Sequence, residues 1–177
     1  MHGFVGINLA LAITAAATGS RAAPPPPLAP LTFLLGEWDS AGSGKPGEAS
    51  GKATFALSLQ DRVLVRTSYA EYPASATAPA SRHDDLMIIY ATGGAGVRAD
   101  CCDSEGHVIH YTVTVARPGE TSFVSDVLSG APRYRLTYTL GSDGVLKGEF
   151  EIAPPGKPEA FGRYLAWESR QAKPSGK

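Results

Sequence analysis

The segment Arg133–Leu140 reads RYRLTYTL, and its alternation decides the fold class. Tyr134, Leu136, Tyr138 and Leu140 are apolar or aromatic, whereas the residues between them are arginine and threonine. Successive side chains of a β-strand point to opposite faces of the sheet, so this segment has one apolar and one polar face. The pattern therefore predicts a strand that is buried on one side and solvated on the other.

The same alternation continues along the chain, with turn-forming residues between the runs. Strands are predicted from Trp38 onward and over 53–59, 62–72, 85–90, 95–100, 107–115, 121–128, 133–140, 145–152 and 161–168. Short turns rich in glycine, proline, serine and aspartate separate them, and no helix of useful length is predicted. We therefore predict an all-β fold, an antiparallel up-and-down closed barrel of about 8–10 strands, since closure removes exposed sheet edges.

The N-terminus has the pattern of a targeting segment. Phe4–Ala17 is an apolar run, and Ser20 and Ala22 place small residues three and one positions before a cut after Ala22. We therefore expect an exported protein, periplasmic or secreted. The start of the chain has no Lys or Arg before the apolar run, so an uncleaved membrane anchor is the alternative. The predicted organisation is a signal peptide over 1–22, a proline-rich linker over 23–30, a β-barrel domain over 31–170 and a disordered tail over 171–177.

Charge and cysteine content argue against two classes of protein. The formal net charge of the 177-residue chain is −1 and its basic residues are not clustered, whereas electrostatic recognition of nucleic acid needs such a cluster. The cysteines are the neighbours Cys101 and Cys102, and adjacent cysteines seldom pair with each other. We predict neither a nucleic-acid partner nor a disulfide framework, and the oligomeric state stays open.

The first residues of the predicted barrel domain resemble those of a known family. Leu31–Trp38 reads LTFLLGEW, and Gly42-Ser43-Gly44 follows it. This opening is similar to that of calycin-type barrels such as lipocalins, and more so to that of nitrobindin-like barrels and related uncharacterised exported lipocalin-like proteins. The resemblance implies a calycin-like fold with a short N-terminal helical plug, here over 31–36, and a first strand that opens at Trp38.

The resemblance also implies two features of a site. A basic residue near the last strand, Arg163 or Arg170, would pack over Trp38 as a cation–π lid. Nitrobindin-like proteins bind haem through a histidine near the C-terminal end, but no histidine follows His110 in this chain. We therefore expect no haem and no other cofactor, with His107 as a substitute haem ligand from another strand being the alternative.

Alternation also predicts which side chains line the barrel interior. His107 is in register with Tyr111 on the apolar face of its strand, near one mouth of the barrel, and Tyr134 and Tyr138 fall on inward faces as well. Apolar walls with a few polar groups are typical of small-molecule sites. The alternatives are a histidine hydrogen-bonded within the core and a narrow barrel filled by its own rings. The predicted ligand-binding residues are His107, Tyr111, Tyr134, Tyr138, Trp38 and Arg163.

Two polar stretches contain residue types that bind metals. Cys101–His107 reads CCDSEGH, but His107 and His110 are three residues apart and would point to opposite faces of one strand. We interpret this stretch as a hairpin turn. Arg82–Asp85, RHDD, follows a loop rich in proline, alanine and serine, and we interpret it as a solvated loop end. No metal site and no catalytic residue is predicted.

Three functions remain open at this point. The first is an exported barrel, not an enzyme, that binds a small apolar or amphipathic ligand in its interior. The second is an enzyme of unknown chemistry that uses His107 as an acid–base group, with Tyr111 or Glu105 nearby. The third is a structural or interaction protein with a solid core. Contact with a membrane is expected only through an uncleaved N-terminal segment.

Overall fold

The computed structural model of this chain describes residues 27–41, 49–94 and 96–172. The predicted signal peptide, the first half of the linker and most of the predicted tail lie outside the described residues. The described part contains a 3₁₀ helix, Ala29–Leu34, and strands β1 (Gly36–Ser40), β2 (Ser50–Ser58), β3 (Val63–Tyr72), β4 (Ser81–Ala91), β5 (Val97–Asp103), β6 (Val108–Arg117), β7 (Glu120–Ser125), β8 (Arg133–Leu140), β9 (Leu146–Ala153) and β10 (Gly162–Gln171). No helix among the described residues is long and apolar enough to span a membrane.

Each strand pairs antiparallel with its neighbour in sequence, and the first strand closes the sheet against the last. At the closure, Trp38 of β1 lies opposite Gln171 of β10. The result is a closed, ten-stranded, up-and-down barrel, consistent with a calycin-like fold. The predicted all-β antiparallel closed barrel is therefore confirmed.

The N-terminal plug is shifted from its predicted place. The 3₁₀ helix covers Ala29–Leu34 instead of 31–36, with a proline in its first turn, where the fixed φ of proline suits a helix start. Gly36 then has φ +119°, a conformation that favours glycine, and β1 begins there, two residues before Trp38. The chain therefore turns from plug to barrel within Leu35 and Gly36.

The 3₁₀ helix closes one end of the barrel, which we call the plugged end. Leu28, Leu31 and Leu34 are almost completely buried there. The indole Nε1 of Trp38 donates a hydrogen bond to the Leu34 carbonyl oxygen over 2.7 Å, so the plug is fixed to the first strand. This end is a continuous part of the hydrophobic core.

Aromatic rings fill the middle of the barrel. Tyr138 lies at their centre, with edge-to-face contacts to Phe55, Phe123 and Trp167 at ring-centroid distances of 5.6, 6.2 and 6.2 Å. Trp167 packs flat on Gly148, where an added Cβ would lie 2.2 Å from the indole ring. The interpretation of the interior as filled by its own rings therefore holds for this middle layer.

The opposite end, which we call the polar end, is formed by the loops that follow β3, β5, β7 and β9. Because the strands alternate in direction, these loops lie at the end away from the plug. The strand β4 reaches this end over Ser81–Asp85, so the interpretation of Arg82–Asp85 as a solvated loop end is wrong. Pairing with Ser68–Tyr72 of β3 extends β4 to Ser81.

Candidate functional site

A buried ion pair lies on the inner surface towards the polar end. In β3, the residues on either side of Arg66 face outward, so Arg66 points into the barrel. Only 6% of this residue is exposed. Its guanidinium forms an ion pair with Asp85 of β4, which lies one diagonal step away across the β3–β4 pair. A buried charge is expensive unless it is paired, so each group holds the other in place.

The other contacts of Arg66 connect this pair to the core. Its Nη1 donates to the hydroxyl of Tyr138 over 2.7 Å, and its Nη2 lies 3.9 Å from the Sγ of Cys101. The Nε of Arg66 is buried and has no hydrogen-bond partner among the described residues. Arg66 therefore marks the floor of the polar end, just above the aromatic layer.

Two inward groups near Arg66 are not suited to nucleophilic or acid–base chemistry. Burial raises the pKa of the Cys101 thiol, against a smaller opposing effect of Arg66. Burial likewise raises the pKa of Tyr111 well above its ordinary range. Both groups therefore stay protonated at neutral pH, and a protonated thiol is a poor nucleophile.

A second layer of polar groups lies at the rim of the polar end. The Nδ1 of His83 lies 3.0 Å from the Oε1 of Glu105, and its Nε2 lies 3.5 Å from the Oδ2 of Asp85. Asp103 accepts hydrogen bonds through Oδ1 from the backbone N–H groups of Glu105 and His107, at 3.0 and 2.9 Å. The rim therefore combines residues from β4 with the β5–β6 turn. We call His83, Asp103, Glu105 and His107 the rim cluster.

An aromatic wall faces these charged strands across the barrel. Tyr134 of β8 stacks on Phe150 of β9 with 5.8 Å between ring centroids, and Tyr164 of β10 contacts Phe150 edge to face at 6.4 Å. Tyr134 and Phe150 are partly exposed, and Tyr164 is 65% exposed. In the circular strand order, β9 lies opposite β4, so the aromatic and charged walls lie on opposite sides of the barrel.

Tyr72 is the last residue of β3, the strand next to β4, and lies at the polar end. Burial raises the pKa of its hydroxyl, with further contributions from nearby Tyr164 and Glu105. Tyr164 belongs to the aromatic wall and Glu105 to the rim cluster, so both walls come close to the hydroxyl of Tyr72. The polar end therefore brings aromatic and acidic groups together.

The predicted ligand-binding tyrosines and Trp38 lie in three different parts of the barrel. Tyr111 and Tyr138 are 2% exposed and lie in the filled middle of the barrel. Tyr134 lies in the aromatic wall. Trp38 is buried, but beside the plug. Three of these tyrosines therefore face inward as predicted, and Tyr134 is the one that reaches the opening.

His107 does not point into the interior. Its side chain is 61% exposed, and its Nδ1 lies 2.8 Å from the Oδ2 of Asp103. The residue precedes β6 in the turn, where Gly106 has φ +92°, so the alternation of the following strand does not extend back to it. The prediction of an inward His107 is therefore wrong.

Arg163 does not cover Trp38. Its side chain is 66% exposed, and its Nε donates to Glu149 Oε1 over 2.8 Å. Arg163 opens β10 at the polar end, whereas Trp38 pairs with Gln171 at the other end of the same strand. Arg170 is exposed on the outer face. The predicted cation–π lid is therefore wrong for both arginines.

Several residues of the opening were missed from the sequence, although a signal existed for most of them. His83 and Asp85 alternate in step with the buried Met87 and Ile89 of β4. Arg66 alternates in the same way with Leu64 in β3. These charged residues were not assigned to the interior because interior positions were expected to be apolar or aromatic.

A second concave surface lies on the outside of β6, β7 and β8. This groove of about 460 Å³ includes Thr114, Val127, Arg135 and Phe161. Arg135 lies over the Phe161 ring at 4.3 Å and forms an ion pair with Glu151. The other arginine of the groove, Arg133, forms an ion pair with Glu159, so both arginines are already neutralised. The groove also has little apolar lining, whereas small-molecule sites are mostly apolar.

No protein-family model matches this chain, and no curated protein matches it. The functional argument therefore rests on the geometry of the polar end.

Proposed function

We propose that this protein binds a small amphipathic molecule in the polar end of its barrel and is not an enzyme. The observation that carries the proposal is the partly exposed aromatic wall of Tyr134, Phe150 and Tyr164, which lies across the polar end from a charged wall. An apolar surface beside a few convergent polar groups is the usual composition of a small-molecule site.

The apolar body of the ligand would stack on the aromatic wall. Phe150 and Tyr164 offer ring faces and edges on the same side of the opening, and Leu165 beside them is 37% exposed. The aromatic layer around Tyr138 limits the depth of the site. The ligand would therefore be held near the mouth and would be short or flat.

The polar head of the ligand would face the rim cluster. Carboxylates are hydrogen-bond acceptors, and Glu105 is 57% exposed in its side chain, so it can turn to a ligand. A head group that donates hydrogen bonds, such as an amine or a hydroxyl, fits this side. Below the rim, Arg66 is buried and already paired with Asp85, so the acidic rim and not Arg66 would meet the head group.

Export and kinship belong to the same proposal. The apolar run before Ala22 supports a periplasmic or secreted protein, and it lies outside the described residues. The opening Leu31–Trp38 supports kinship with nitrobindin-like and other exported lipocalin-like barrels. An extracytoplasmic barrel that is plugged at one end only is a suitable carrier for a small molecule.

A fluorescence titration with N-phenyl-1-naphthylamine, a neutral aromatic amine, tests the proposal. The dye should bind in the presence of EDTA with saturable enhancement and one site per chain. Tyr164→Ala should weaken binding by about 2–10-fold, since one aromatic contact contributes about 0.5–1.5 kcal/mol. Tyr164 is exposed, so the variant should fold normally.

Phe161→Ala is the matched control, because Phe161 lies three residues away in the outer groove. This variant should bind the dye as the wild type does. Weaker binding by Phe161→Ala together with unchanged binding by Tyr164→Ala would place the site in the outer groove and contradict the proposal. The absence of saturable binding in the wild type would favour the alternative, a barrel with a solid core, for which the filled middle layer is the specific observation.

A further inference from the structure

We propose that His83, Asp103 and Glu105 bind one divalent transition-metal ion, such as Zn²⁺, at the rim of the polar end. One ligand atom from each residue can be chosen so that all three lie within 4.8 Å of one another. Imidazole nitrogen and carboxylate oxygen are common zinc ligands. The site goes beyond the proposed ligand binding and does not depend on it.

The distances need only a small adjustment for metal binding. Zinc bonds to nitrogen and oxygen are about 2.0–2.2 Å long, which places neighbouring ligand atoms of a tetrahedral site roughly 3.3–3.6 Å apart. The Nδ1 of His83 is already 3.0 Å from the Oε1 of Glu105. Glu105 lies in a turn with a side chain that is 57% exposed, so it can move by the ångström that the ion requires.

His83 has a carboxylate near each ring nitrogen. A histidine that binds a metal usually donates its other ring N–H to a carboxylate, which fixes the ring and its tautomer. His83 presents Nδ1 to Glu105 while its Nε2 lies 3.5 Å from the Oδ2 of Asp85. Asp85 is itself held by the buried Arg66. Asp85 is therefore placed to accept from the Nε2–H of a metal-bound His83, while Nδ1 faces the ion.

Asp103 is also held in position. Its Oδ1 accepts the backbone N–H groups of Glu105 and His107, which leaves Oδ2 towards the rim cluster. His107 Nδ1 lies 2.8 Å from this Oδ2 and 3.9 Å from the Oε2 of Glu105. His107 can therefore supply a fourth ligand or orient Asp103 for the ion.

The cysteines do not belong to this site. Cys102 is exposed on the outer face, and Cys101 is buried against Arg66. The ligand set is therefore nitrogen and oxygen, which suits Zn²⁺, Co²⁺ and Mn²⁺.

Isothermal titration of Zn²⁺ alone into protein freed of metal by EDTA and dialysis tests this inference. The wild type should bind one Zn²⁺ per chain. His83→Ala and Glu105→Gln should each weaken the Zn²⁺ affinity by about tenfold or more. Loss of a residue that only supports a metal ligand already costs about 10–100-fold, and loss of a ligand itself should cost at least as much. Glu105→Gln keeps the shape of an exposed side chain, so a folding defect is not expected, and the urea midpoint of each variant checks this.

His110→Ala is the matched control. His110 Nδ1 lies 2.6 Å from Asp100 Oδ1 on the outer face, and no third ligand joins this pair among the described residues. This variant should bind Zn²⁺ like the wild type. Tyr164→Ala should do so as well, which separates the metal site from the dye site.

Co²⁺ in place of Zn²⁺ gives a second readout. We expect visible d–d bands without the strong near-ultraviolet absorption of cobalt–thiolate bonds. Thiolate absorption, unchanged affinity in His83→Ala and Glu105→Gln, or no stoichiometric binding by the wild type would each overturn the inference.

Discussion

The two ends of this barrel differ in the side chains that line them. At the plugged end, Leu28, Leu31 and Leu34 bury apolar surface against the sheet, and one hydrogen bond to Trp38 fixes the plug. At the polar end, the inner surface carries charges that are paired with each other and an aromatic wall that is partly exposed. The difference indicates that one end serves stability, and that the other retains polar and aromatic groups suited to binding.

The largest expected effect concerns the charge pair of the polar end. Arg66→Met leaves Asp85 nearly buried without its partner, and breaking a buried pair costs about 3–5 kcal/mol. The double variant Arg66→Met/Asp85→Leu removes both charges and should recover most of that loss. Urea unfolding of the wild type, the single variant and the double variant measures these differences in the free energy of unfolding. A cost below about 1 kcal/mol for the single variant, the value typical of exposed pairs, would mean that water reaches Arg66 and that the polar end is ordinary surface.

The next effect compares the two ends directly. Leu31→Ala removes a fully buried side chain from the plug and should destabilise the protein by about 2–5 kcal/mol. Tyr164→Ala at the opposite mouth should change stability by no more than about 0.5 kcal/mol, because the residue is largely exposed. Equal losses in thermal or urea unfolding would contradict the assignment of separate roles to the ends.

A smaller effect tests the filled layer between the ends. Gly148→Ala places a Cβ against the Trp167 ring, and such overpacking costs about 1–3 kcal/mol. Gly162→Ala is the control, since the nearest atom to its new Cβ is the Ile152 carbonyl oxygen at 4.0 Å. Near-ultraviolet circular dichroism should report a changed tryptophan environment in Gly148→Ala alone. If both variants unfold alike, the middle of the barrel has more room than the rings indicate.

The smallest expected effect concerns the reactivity of the two cysteine thiols. Cys102 is exposed, whereas burial raises the pKa of the neighbouring Cys101 thiol. Ellman's reagent should therefore modify one thiol per folded chain quickly and two after unfolding in denaturant. Cys102→Ser should abolish the fast reaction, and rapid modification of Cys101 in the folded protein would show that the inner surface opens readily.

The alternation of apolar and polar residues was sufficient to predict the barrel and the inward direction of Tyr111 and Tyr138. It was insufficient at the polar end, because charged residues there are stabilised by partners from other strands. Arg66 and Asp85 are 19 positions apart in the chain (85 − 66 = 19) and meet only through the β3–β4 pairing. Such a pairing is invisible in a pattern that is read one strand at a time.

Turns and irregularities account for the remaining errors. His107 lies in a turn, where side-chain direction depends on Gly106 and on the hydrogen bonds of Asp103 rather than on alternation. The register of β10 shifts between Arg163 and Leu165, and the antiparallel path takes Arg163 to the end away from Trp38. Local sequence therefore predicted the scaffold, whereas the site depends on contacts between distant segments.

The central claim is that the polar end is the binding end, and chemical-shift mapping tests it most directly. ¹H–¹⁵N spectra recorded during a titration with N-phenyl-1-naphthylamine should shift amides around Tyr72, His83, Glu105 and Tyr164 and leave the plug unchanged. Shifts confined to the outer groove around Thr114 and Phe161, or to the plugged end, would contradict it.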